Sequence, residues 1–174
     1  DPFKGNISFD GQNLLDVPAH RIAELGIART FQNLALFPTM TLVENVMVGA
    51  HCQGSVGFLR AMTRIGARKE NQLIAEKSRD LLRELGLDKL AHHPASGLPF
   101  GTLKRLEIAR ALAASPRFLL LDEPAAGLTH SEVDELADTI VSLREKFNLT
   151  ILLVEHHMAM VMRISDQVVA MEFG

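Results

Sequence analysis

Apolar positions recur along this chain with two different periods, and the change of period divides it. Ile7 and Phe9 alternate with polar neighbours beside Asp10-Gly11, which predicts a hairpin over 6–14. Pro18 opens and Gly26 closes a short helix over Ala19–Leu25, and Ile27–Phe31 reads as a short extended run ending at Gln32. From Thr41 the period lengthens. Leu42, Val43, Val46 and Met47 share one helical face, with Gly49, Gly54 and Gly57 as ordinary helix interruptions. A long amphipathic helix is predicted from about Arg68 to Leu85, with Ile74, Ser78, Leu81, Leu82 and Leu85 inward and Gly86 as its stop. Pro94–Gly101 reads as a loop and Thr102–Ala114 as a third helix.

After Pro116 the pattern changes again. Phe118–Leu121 and Thr150–Val154 read as buried strands, Ser131–Phe147 and Met158–Ile164 as helices, and Gln167–Met171 as a third strand. Apolar strands alternating with helices imply a parallel sheet covered on both faces. The fold class is therefore α/β, with a helical subdomain inserted ahead of the second part of the core. The expected division is 1–38 for the N-terminal β part, 39–114 for the helical subdomain and 115–174 for the α/β core.

Composition narrows the class. Over 174 residues, 47% hydrophobic and 22% charged residues suit a packed domain, not a disordered one. A net charge of −3 exerts no whole-chain pull toward nucleic acid or anionic lipid. Cys52 is the single cysteine, so no internal disulfide forms, and it reads as a small apolar filler. The longest apolar runs have strand length and fall far short of the ~20 residues a membrane-spanning helix needs. His92-His93 and His156-His157 are adjacent pairs, so neither puts two ligands on one helical face as a zinc site would. Met158, Met160 and Met162 read as a core-and-surface helix, and Arg60, Arg64, Arg68 and Lys69 as a solvated helix face.

The candidate chemistry is concentrated where strands end. Phe118-Leu119-Leu120-Leu121-Asp122-Glu123-Pro124 delivers two adjacent carboxylates at the C-terminal end of a buried strand, where open parallel sheets bind ligands. Neighbouring carboxylates repel and call for a cation or a proton between them. Mg²⁺ with phosphate oxygens supplies the cation: Asp122 would hold it through water, and Glu123 would polarise a water attacking a terminal phosphate. Upstream, Leu98-Pro99-Phe100-Gly101-Thr102 feeds directly into a basic helix, whose first N–H groups form an anion site. The second buried strand ends in Glu155-His156, which puts a histidine beside the acidic strand end within reach of a γ-phosphate.

These residues, in this order, resemble the ATP-binding subunits of ABC transporters over essentially the whole chain. Asp122-Glu123 resembles the Walker B pair, Leu98–Thr102 the signature loop, His156 the switch histidine, and Gln32 after Arg29-Thr30-Phe31 the Q-loop glutamine. The finer match is to the LivG-like branch that imports branched-chain amino acids. It is carried by Gly26-Ile27-Ala28-Arg29-Thr30-Phe31-Gln32-Asn33, Leu106–Leu112 and Asp122-Glu123-Pro124-Ala125-Ala126-Gly127-Leu128. The resemblance implies a P-loop NTPase-type core that binds ATP and Mg²⁺. The implied catalytic residues are Glu123 and His156. Gln32, Asp122, Leu98, Pro99, Phe100, Gly101 and Thr102 would contact nucleotide, and Asp122 and Gln32 would serve the metal through water. It further implies a head-to-tail pair of such subunits, homo- or heterodimeric, each lending its signature loop to the other's ATP. The other partners would be transmembrane permease subunits and, indirectly, a substrate-binding protein, with no nucleic acid. The location would be peripheral, on the cytoplasmic face of the membrane.

Four departures qualify the resemblance. No Gly-x-x-x-x-Gly-Lys-Ser/Thr phosphate loop occurs in the sequence; Gly49 and Gly54 have the interval, but Ser55 stands where Lys is needed. In the family that loop precedes the part matching Gly5–Gly11, and neither terminus reads as natural. The chain is thus expected to be a fragment that alone binds ATP poorly and is inactive. Thr102-Leu103 replaces the usual Gln after the signature Gly, Thr129-His130 stands for Asn-Pro, and His157 for Asp.

Overall fold

The computed structural model describes residues 5–30, 34–51 and 67–172. Phe31, Gln32 and Asn33 lie outside the described residues, as do Cys52, Gly54, Gly57, Arg60 and Arg64. The predicted hairpin forms around Asp10-Gly11, with β1 (Ser8–Phe9) antiparallel to β2 (Gln12–Asn13). Both turn residues take positive φ, 48° and 77°. The hairpin is fastened to the sheet through Phe9, whose ring lies 5.8 Å from that of Phe118, and through a 2.6 Å ion pair between Asp10 and Arg117. The short helix over Ala19–Leu25 is of the tighter 3-10 kind and ends on Gly26 at φ 82°.

β3 (Ile27–Arg29), β4 (Phe118–Asp122) and β5 (Thr150–Val154) form a parallel sheet in that order. Arg29 stands opposite Leu120, and Asp122 opposite Val154. Because β4 and β5 run parallel and in step, the residues that follow them emerge side by side at one end. Leu119 and Leu121 are 1% exposed and belong to one continuous core with Leu106, Leu112, Leu136 and Ile140. Burial of each such side chain stabilises the fold by roughly 1.5–3 kcal/mol.

The helical block forms from α1 (Leu42–His51), α2 (Ala67–Glu84) and α3 (Phe100–Leu112). Leu42, Val46, Ser78 and Leu82 are buried, as their spacing predicts. Gly49 is no mere interruption. A Cβ there would lie 2.1 Å from the Arg110 carbonyl oxygen, so α1 and α3 cross in close backbone contact and only glycine fits between them. α4 (His130–Phe147) and α5 (Met158–Ile164) follow in the second part of the chain.

Four expectations are corrected. α3 starts at Phe100, two residues early, because Pro99 already has the extended backbone of a cap, and α4 starts at His130 behind the Thr129 cap. Gln167–Met171 is not a strand: it joins no ladder among the described residues, and Val168, Val169 and Met171 are 49%, 75% and 77% exposed. Apolar composition suits a strand, but pairing needs a neighbour's free N–H and C=O groups. Coverage of the sheet is also uneven. Leu152 and Val154 alternate with Ile151 and Leu153 and remain about half exposed on the opposite face, at 49% and 55%.

Candidate functional site

The site is built from the two loops that leave β4 and β5. β4 ends in Asp122, whose N–H donates to Thr30 Oγ1 at 3.3 Å and whose carboxylate accepts from Arg29 Nη2 at 2.8 Å. The next residue, Glu123, leaves the strand at φ 47°, a left-handed conformation that costs a non-glycine residue of order 1 kcal/mol. Its N–H still donates to the Val154 carbonyl at 2.9 Å, so the bend is anchored to β5. Across the gap, His156 Nδ1 stands 4.0 Å from Glu123 Oε1. The imidazole is 65% exposed and tilts against His157, with ring centroids 5.0 Å apart.

Beneath this pair lies Glu155, whose side chain is wholly buried. Its carboxylate accepts three backbone N–H groups: Ala125 at 2.8 Å, His156 at 2.9 Å and His157 at 3.2 Å. One carboxylate therefore satisfies donors from both loops.

The signature-like segment approaches from α3. Pro99 occupies the cap, Phe100, Gly101 and Thr102 form the first turn, and Leu98 packs half-buried against the core. Two glycines bring this turn close to the loop after β4. A Cβ on Gly101 would meet Glu132 Oε1 at 2.9 Å, and one on Gly127 would meet the Phe100 ring at 3.1 Å. Lys104, buried one turn later, lies 5.5 Å from the Phe100 ring centroid and donates to the Glu123 carbonyl at 3.4 Å. The Thr129-His130 departure is structurally productive. Thr129 and Glu132 form a complete capping box for α4, and the hydrogen bonds from Thr129 hold the Glu132 carboxyl below its ordinary value.

Downstream of Gln32, Asn45 is fully buried and ties down the entry to α1. Its amide donates to the carbonyls of Phe37, Met40 and Thr41, and its oxygen accepts the Phe37 N–H at 2.8 Å. Arg110 also donates to the Ala35 carbonyl.

Residues 1–126 match the family model described as ABC transporter. The chain belongs to the ABC transporter family. It is 42% identical over 174 residues to the high-affinity branched-chain amino acid transport ATP-binding protein BraF of Pseudomonas aeruginosa, covering 99% of this chain and 68% of that protein. It is 40% identical to the corresponding LivG protein of Escherichia coli over the same shares. Among solved structures it resembles a nucleotide-free ATP-binding cassette from an ABC transporter, with TM-score 0.76 and 27% identity. It also resembles the ADP conformation of the cassette MJ1267, with TM-score 0.76 and 28% identity. Both alignments cover 94% of this chain, which spans 64% of the length of either cassette.

Within this ABC frame, the structure brings Asp122, Glu123 and His156 together at one end of the sheet, on the neighbouring ends of β4 and β5, and sets Phe100, Gly101 and Thr102 against the adjoining loop; Gln32 lies outside the described residues. Glu155, Lys104 and Asn45 were missed as site-shaping residues. Glu155 sits beside the expected histidine and Lys104 within a helix read only as basic, but neither position alone reveals a hydrogen-bond partner far away in sequence. Among the described residues no group of three or more His, Cys, Asp or Glu side chains could hold a metal. Mg²⁺ needs no such cage, since it keeps its waters and takes one or two carboxylates plus phosphate oxygens. Asp122, 28% exposed, fits that role, with Arg29 already neutralising one of its oxygens. A cavity of about 830 Å³ lies at the other end of the strands, beside Lys77, Ser78, Arg117 and Lys146, and contains none of the motif residues. No helix among the described residues is long and apolar enough to cross a membrane.

Proposed function

We propose that this chain is the part of an ABC importer's ATP-binding subunit that carries the water-activating and partner-facing elements, in a protein that powers uptake of branched-chain amino acids. The observation that carries the reading is the convergence of Glu123 and His156 at 4.0 Å on neighbouring strand ends, beside Asp122. Glu123 accepts the proton of the attacking water, and His156 donates a hydrogen bond to the transferring phosphoryl group. Asp122 and Gln32 would hold Mg²⁺ through water; the ion, when bound, supplies charge neutralisation for the phosphate oxygens. The first turn of α3, Phe100-Gly101-Thr102, with Leu98 and Pro99 leading into it, presents free N–H groups to the nucleotide of a second ATPase subunit.

The helical subdomain, 39–114, and the Gln32 loop would pass the closing motion to transmembrane permease subunits at the cytoplasmic face of the membrane, which in turn receive cargo from a substrate-binding protein. The branched-chain assignment is supported by what BraF and LivG, at 42% and 40% identity, are named for. The test is Mg-ATP hydrolysis by the full protein and by Glu123→Gln. The variant is expected to bind ATP at parental affinity and to turn over at least ~100-fold more slowly, because only proton acceptance is removed. Undiminished turnover would overturn the role of Glu123, and failure of the parent to bind ATP would overturn the ATPase reading.

A further inference from the structure

We infer that Glu155 is a positioning residue that sets the geometry between Glu123 and His156. This rests on the ATPase reading above and deepens it. Its carboxylate is completely enclosed, and both oxygens are committed to backbone N–H groups. Oε1 takes the Ala125 N–H, two residues beyond Glu123, while Oε2 takes those of His156 and His157. A buried carboxylate bridging several N–H donors is strong because each bond is charge-assisted. It also cannot be replaced by an amide without conflict. A glutamine offers one acceptor oxygen, and its NH₂ would face N–H groups on the other side, so one loop is released whichever way it turns. His156 Nδ1 is 3.8 Å from Glu155 Oε2, so the ring that approaches Glu123 is also oriented over the same carboxylate.

A positioning residue acts through His156, and a double-mutant cycle in the full protein can detect this. Glu155→Gln is expected to lower kcat for ATP about 10- to 100-fold with KM changed less than about threefold, as misplacement of an aligned group does. In a His156→Ala background the same substitution should lower kcat by a clearly smaller factor, because only the Glu123 side of the geometry is then left to disturb. An equal fold-loss in both backgrounds, or no loss in the parent, would overturn the proposal. Amide hydrogen exchange in the unsubstituted protein tests the anchor without relying on catalysis or on a variant that folds. The N–H groups of Ala125, His156 and His157 should exchange slowly although they lie in loops. Fast exchange there would overturn the proposal even if ATP is hydrolysed. Slow exchange with no hydrolysis by the parent would uphold the anchor and reject the ATPase reading instead.

Discussion

The Lys104 ammonium donates to the backbone carbonyl of Glu123 at 3.4 Å, joining α3 to the left-handed bend that aims the candidate base. Lys104 is 2% exposed, and its charge is further accommodated by the face of Phe100 at 5.5 Å. Lys104→Met preserves the length of the chain and removes the donor. It should cost about 1–3 kcal/mol in urea unfolding, because the carbonyl loses its partner. It should also reduce ATP turnover while leaving ATP affinity near parental. A parental kcat would show that the bend at Glu123 holds without this contact.

Asn45 makes four hydrogen bonds to residues 37–41, all to backbone. Replacement by Leu, of the same branched skeleton, should leave those groups unpaired at about 1–3 kcal/mol for each that water does not reach. Limited proteolysis gives the local readout: cleavage between Leu36 and Thr41 should accelerate more than cleavage elsewhere. Uniform acceleration would mean the loss is global.

Gly49→Ala tests the helix crossing. Its Cβ would meet the Arg110 carbonyl oxygen at 2.1 Å, and a backbone atom cannot swing aside as a side-chain tip can. Helix propensity alone favours Ala by about 1 kcal/mol. Overpacking should reverse that sign and leave a net destabilisation of about 1–3 kcal/mol in chemical unfolding. A stabilised variant would show that α1 and α3 can separate freely.

The capping boxes of α1 and α4 predict a pH dependence. The carboxyls of Glu44 and Glu132 are held below 4.5 by hydrogen bonds from Thr41 and Thr129, backbone first and hydroxyl second. A lowered folded value means that the unfolded chain binds protons first as pH falls. The stabilisation is therefore present above the unfolded value near 4.5 and lost as pH drops through the lowered folded one. Glu132→Gln should thus be less stable than the parent at pH 7, and the gap should narrow in acid. A gap independent of pH would assign the effect to geometry alone.

Much of this protein is legible from its sequence. The period of Leu42, Val43 and Val46 fixes a helix, the run Phe118–Leu121 fixes a strand, and Asp10-Gly11 fixes a turn, because each depends on neighbours within a few residues. Asp122, Glu123 and His156 are recognisable for the same reason: a strand end followed by acids or histidine is a local pattern. The exposed run Gln167–Met171 marks the limit, since a strand is a property of two chain segments and composition describes one. Only the tertiary structure makes Gly49 a helix contact, carries Lys104 to Glu123, and gathers the N–H groups of Ala125, His156 and His157 around Glu155. Those relationships join residues up to 61 positions apart, as Gly49 and Arg110 are, and the packing of the sheet against its helices decides them.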